Sequence, residues 1–213
     1  MAKVNQQYIK SENRKWLIGY LLLHIVIFAL FAGFISPTFS DVKALFSKLK
    51  DPQGFLPFLA VIFSIVLEGL LSNPIKEFLV FWRIKNRLPG HRAFSVIGPR
   101  DARVNMEKVK ALFPNGLPFD PKLQNQEWFE LYKKYGDEWR VFYSHKAFLL
   151  TRDLTALTAS VIPLSFLGHL IAGSQLSVIG YHLLFLIALL ILISLPARNY
   201  GNRFVANVLV EAT

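Results

Sequence analysis

Glu68 is a carboxylate set inside an apolar run of the 213-residue chain. An ionisable side chain near the middle of a membrane is costly, so it turns toward a protein interior or a wet cavity. Ala60, Ser64, Glu68 and Ser72 recur at steps of four, which puts them on one helical face. A second stripe carries Thr151, Thr155, Thr158, Ser165 and His169. Small and hydroxyl-bearing residues at this spacing serve either of two ends. They let helix backbones approach closely, or they line a polar pathway.

Depth relates these stripes to the histidines. At 1.5 Å per residue, His24 lies about 12 Å from the inner end of the first apolar stretch. Glu68 lies about 18–20 Å from the outer end of the second, a similar level in a hydrocarbon core of about 30 Å. The two could share a hydrogen bond or a proton. His169 and His182 match each other near the outer edge. The plainer alternative is that each histidine satisfies a backbone carbonyl on a neighbouring helix.

The chain has no phosphate-binding glycine loop, H-E-x-x-H or G-x-S-x-G pattern. His91, Asp101 and His145 lack metal-ligand spacing, and the absence of cysteine removes thiolate chemistry and disulfides. These residues give no sign of an enzyme, a cofactor or a metal site.

Four apolar stretches would position the stripes: 16–35, 55–71, 154–172 and 178–195. A spanning helix needs about 20 residues. The second stretch is short unless it runs through Ser72-Asn73-Pro74 to residue 81. Otherwise the membrane ends there and 75–82 forms an interfacial helix, a placement that suits Lys76, Phe78, Phe81 and Trp82. The first stretch exceeds a signal-peptide core and no clear A-x-A site follows it, so it reads as an uncleaved anchor. Hydrophobic residues make up 53% and charged residues only 18%, an unusual balance for a soluble domain.

The net charge of +10 fixes an orientation. With alternating sides, 21 of the 24 Lys and Arg fall on one face of the membrane and 3 on the other. The positive-inside rule then puts both termini and the long connection in the cytosol. The expected fold is an all-α integral membrane protein. It is a four-helix transmembrane bundle with a small helical cytosolic module between spans 2 and 3. The domains are 1–81 (cytosolic tail and first hairpin), 82–150 (basic module), and 151–213 (second hairpin and cytosolic tail).

Within the module, Arg83, Lys85, Arg87 and Arg92 form a basic strip interrupted by Pro89-Gly90, a turn signal. A short helix is expected over 104–113. A second starts at the cap Asp120-Pro121 and runs to about residue 135, with Leu123, Trp128, Leu131 and Tyr132 on one side. A third starts near residue 137 and continues into the third span. Such a module buries little core alone and must pack on something else. Arg152 and Asp153 are placed to pair with Lys76 and Glu77. The basic strip suits a protein partner or lipid headgroups. Its interleaved aromatics also admit nucleic acid or a nucleotide, the weaker choice for a membrane protein.

The runs Leu88-Pro89-Gly90-His91-Arg92-Ala93-Phe94-Ser95, Gln124-Asn125-Gln126-Glu127-Trp128 with Leu131-Tyr132, and Leu149-Leu150-Thr151-Arg152-Asp153 resemble small bacterial membrane effectors of anti-phage defence. These belong to retron, cyclic-nucleotide and Kiwa-type systems. The resemblance implies an inner-membrane effector held silent by a partner and released on infection, which then damages the membrane; a homo-oligomer and a cytosolic protein partner encoded nearby are the expected associations. The residues alone equally admit a small channel or transporter subunit built around Glu68 and His24, or a membrane scaffold without activity.

Overall fold

The computed structural model describes residues 6–35 and 71–213, with a few isolated positions between them. Most of the expected second span, with Ser64 and Glu68, therefore lies outside the described residues, and so does the proposed pairing of His24 with Glu68. Among the described residues the chain is helical, without strands. The helices are α1 (Gln6–Phe31), α2 (Asn73–Phe81), α3 (Met106–Ala111), α4 (Pro121–Tyr135), α5 (Trp139–Ile171) and α6 (Leu176–Glu211). A tight winding over 89–100 precedes α3. Among the described residues, three helices are long and apolar enough to cross a membrane: Ser11–Phe31 within α1, then α5 and α6.

Two compact units divide the chain. One comprises Met1–Lys10, Asn73–Arg152 and Ser194–Thr213; the other comprises Ser11–Ser72 and Asp153–Ile193. The first unit holds the module. Its core joins Val80 and Phe81 of α2, Phe94, Val109, Trp128 and Tyr132 to Phe148 of α5 and to Ala197, Phe204, Val205, Val208 and Leu209 of α6. Residues 194–213 thus belong with the module rather than with the second hairpin and a separate tail. A module of this size cannot bury enough apolar surface by itself, and the end of α6 supplies what it lacks. The Trp128 indole Nε1–H donates to Val205 O at 3.3 Å, and its ring meets Phe204 edge-on.

Local signals set the helix starts. Asp120 caps α4, accepting from Lys122 N at 2.9 Å and Leu123 N at 3.1 Å, with Pro121 in the first turn. Asn105 caps α3 by accepting from Lys108 N. On α4, Trp128 and Tyr132 are buried as expected, but Leu123 is half exposed and Gln124 takes the inner position. The reason is a run of backbone donors in the 89–100 winding. Gln124 Oε1 accepts from Phe94 N, Ser95 N and Ser95 Oγ at 3.1–3.2 Å, and its Nε2 donates to Phe119 O at 3.1 Å. Pro89-Gly90 makes the expected turn, His91 N donating to Leu88 O at 3.2 Å, and the turn runs on as 3₁₀-helix over Pro89–Arg92.

The second unit is stitched by one face of α1. Leu17, Leu21 and His24 are buried at steps of three and four, and Leu21 packs with Leu157, Val161 and Leu186.

Candidate functional site

Inside the second unit, polar groups cluster between apolar helices. The Thr158 hydroxyl donates to Leu154 O at 2.9 Å, which commits its one hydrogen, so it accepts from the Tyr20 hydroxyl at 2.8 Å. One turn further along α1, the His24 ring lies edge-on to Tyr20 with centroids 4.5 Å apart. His24 is 3% exposed, and neither ring nitrogen has a partner among the described residues. Thr155 is fully buried on the Thr158 side of α5.

At the other end of α5 the backbone builds a second polar group. The helix closes with Gly173 in the left-handed region (φ 65), Gly173 N donating to Leu170 O and Ser174 N donating to His169 O. This doubly bonded glycine ending turns the chain sharply and folds Ser174 back beside His169. His169 Nδ1 then meets Ser174 Oγ at 2.9 Å, and His169 Nε2 meets His182 Nδ1 of α6 at 2.8 Å. Phe31 stacks on His182 with centroids 4.5 Å apart and planes 7° from parallel, while Phe28 lies 4.8 Å from His169.

This Ser–His–His line has two self-consistent proton arrangements. Ser174 can donate to His169 Nδ1, whose Nε2–H then donates to His182 Nδ1. Alternatively His182 Nδ1–H donates to His169 Nε2, whose Nδ1–H donates to Ser174. Moving between the two shifts one proton along the line, so two neutral imidazoles can pass a proton between the 172–175 turn and His182 Nε2. His182 Nε2 is buried without a partner among the described residues.

The structure therefore brings His169 to His182, not to a backbone carbonyl, and brings Thr158 to Tyr20. Glu68 and Ser64 lie outside the described residues. Tyr20, Ser174 and His182 are the members that residue type alone left out of the site. Matching depth pointed toward His182, but nothing local pointed to Tyr20 or Ser174. No cluster of three or more His, Cys, Asp or Glu that could hold a metal occurs among the described residues.

The chain matches no known family model, no curated protein and no solved structure.

The basic strip resolves unevenly. Arg83 and Arg92 line one hollow together with Arg198 and Asn202 of α6. Lys85 and Arg87 do not line it, and Arg87 donates its Nε–H to the Arg83 carbonyl. Arg198 was absent from the strip read in the sequence; its position four residues before Asn202 on α6 is the signal that could have found it. Burial pushes the Glu77 carboxyl above its ordinary value, against a smaller pull from Arg152 and Arg87.

Proposed function

We propose that the chain is a four-span inner-membrane protein with both termini in the cytosol, acting as a membrane effector that a cytosolic partner restrains. The observation that carries this reading is the burial of His24, Thr158, His169 and His182, with half-buried Tyr20 bonded to Thr158, in helices of membrane-spanning length and composition. Polar groups at that depth are expensive and are held where they serve a pathway or a gate. The 21-to-3 distribution of basic residues supports the orientation. With the apolar run 55–71 taken as the second span, the number of crossings is even and both termini share one side. If several copies associate, Ser64, Glu68, Thr155 and Thr158 form the wall of a wet path, and a conducting path dissipates the membrane potential.

The test is membrane potential and dye entry after induction of the chain alone, with Thr155→Leu/Thr158→Leu alongside. Reporter fusions at Ser174 and Thr213 fix the sides. The expected results are depolarisation by the intact chain, loss of depolarisation in the double variant, an outside signal at Ser174 and a cytosolic one at Thr213. Saturable uptake of a small solute without depolarisation would instead favour a transporter built on His24 and Glu68.

A further inference from the structure

The hollow beside Arg92 belongs to a larger groove in the module. A space of about 400 Å³ lined by Arg83, Arg92, Arg198 and Asn202 adjoins one of about 640 Å³. The second shares Arg92 and Asn202 with the first and adds Arg100, Arg103 and Arg203. Asp101 is the one carboxylate on these walls, and it is already committed to Arg103 at 2.7 Å. Among the described residues, Arg83, Arg92, Arg100, Arg198 and Arg203 form no ion pair. Like charges gathered this way repel one another, and burial compounds the cost. The Arg92 guanidinium is pushed below its ordinary value, first by burial and then by Arg83, Arg198 and Arg100.

Two buried polar atoms face this crowd without partners among the described residues: Arg92 Nε and Asn202 Oδ1. The Asn202 amide oxygen and nitrogen are interchangeable by a flip, so the same side chain can present two donors.

Part of the wall is fixed in advance. Arg198 donates from Nε and a terminal nitrogen to Val80 O, both at 3.3 Å, and lies 4.2 Å from the centre of the Trp82 ring. Trp82 holds a left-handed backbone (φ 52), unusual for an aromatic residue and costly unless its surroundings enforce it. Capping the end of α2 accounts for Arg198 alone. It leaves Arg83, Arg92, Arg100 and Arg203 unexplained.

We infer that this groove binds a phosphate-bearing anion, carried by a soluble phosphorylated ligand or by an anionic phospholipid headgroup. Guanidinium forks match phosphate oxygens two at a time. A single carboxylate is satisfied by one or two such forks; this number calls for an anion with several oxygens and more than one charge. The site lies wholly within the module and does not depend on the effector reading.

The test uses the full chain in nanodiscs of phosphatidylcholine alone, with radiolabelled pyrophosphate as probe. In parallel, the chain extracted from native membranes is weighed intact to count retained phosphatidylglycerol. Arg92→Gln and Arg203→Gln are compared with Lys110→Gln/Lys133→Gln, which removes exposed charge from α3 and α4. Arg203 is itself exposed, so its variant keeps the fold if Arg92→Gln does not. A soluble ligand gives saturable pyrophosphate binding that weakens about tenfold or more in each arginine variant and stays within about twofold in the lysine variant. A headgroup site gives no pyrophosphate binding but phosphatidylglycerol retained at fixed stoichiometry and lost in the arginine variants. Binding of neither probe, or an equal loss in the lysine variant, overturns the inference.

Discussion

The bond between His169 and His182 can be tested by removing its members singly and together. His182→Leu keeps most of the apolar volume but leaves His169 Nε2 buried without a partner, which costs about 1–3 kcal/mol. It also ends the parallel stack on Phe31, worth about 0.5–1.5 kcal/mol. His182→Leu should therefore cost about 1.5–4.5 kcal/mol. His169→Leu orphans His182 Nδ1 in the same way and releases Ser174, which is half-buried and can be hydrated at the turn. It should cost about 1–3 kcal/mol. In the double variant neither nitrogen remains to be orphaned, so the cost should fall short of the sum. Hydrogen bonds between membrane helices couple by about 0.6 kcal/mol on average and about 1.7 at most, so a shortfall of about 0.5–1.5 kcal/mol is expected. The assay is reversible unfolding of the purified chain in mixed micelles, followed by helix content at constant lipid-to-detergent ratio. Strict additivity, or single variants as stable as the parent, would refute the bonded pair and the proton line built on it.

Two further outcomes follow from the module. Deleting residues 198–213 removes Phe204, Val205, Val208 and Leu209, each worth about 1.5–3 kcal/mol on burial, and should leave 73–152 open to limited proteolysis; an equally resistant module would show that its core does not need the end of α6. The side chain of Arg103, by hydrogen bonding, holds the Asp101 carboxyl below its ordinary value against a smaller push from burial, with Arg203 adding to the pull. Because the folded value is depressed, the pair stabilises the module at neutral pH, and that contribution disappears as pH falls through the folded value, below about 3.9. Asp101→Asn should flatten this acid-side loss of stability and, by freeing Arg103, tighten pyrophosphate binding. An unchanged pH profile together with unchanged binding would separate Asp101 from both effects.

What could be read from the sequence was what depends on neighbours in the chain. The start of α4 at Asp120-Pro121 is a local capping signal, and three helices of spanning length declare themselves by apolar run alone. The start of α5 near residue 137 and its passage into the third apolar stretch follow from uninterrupted helical periodicity. Depth along a helix axis is also readable, and it matched His169 with His182. Direction around the axis is not, so the bond between them, and that of Tyr20 with Thr158, could not be foreseen. Pro89-Gly90 was legible as a turn, but the winding after it was not, because Phe94 N and Ser95 N are satisfied by Gln124, about thirty residues away. The end of α6 was misread as a tail because its apolar positions follow Pro196 and Arg198, which resemble the edge of a membrane span. The arginine groove was hidden for the same reason, since Arg198, Asn202 and Arg203 of its walls come from that helix.

Gln124 has an evolutionary consequence. Its position demands a group that accepts three hydrogen bonds on one atom and donates on another, at the length of a glutamine side chain. Gln124→Glu keeps the acceptor but loses the donor to Phe119 O and brings a charge into the interior, while Gln124→Asn is one methylene too short to reach. Almost every single step away from glutamine is therefore closed unless Ser95 and the 89–100 winding change as well. Descendants of this chain are free to drift at Leu123 or Phe119, both exposed, while residue 124 and its partners change only together or not at all.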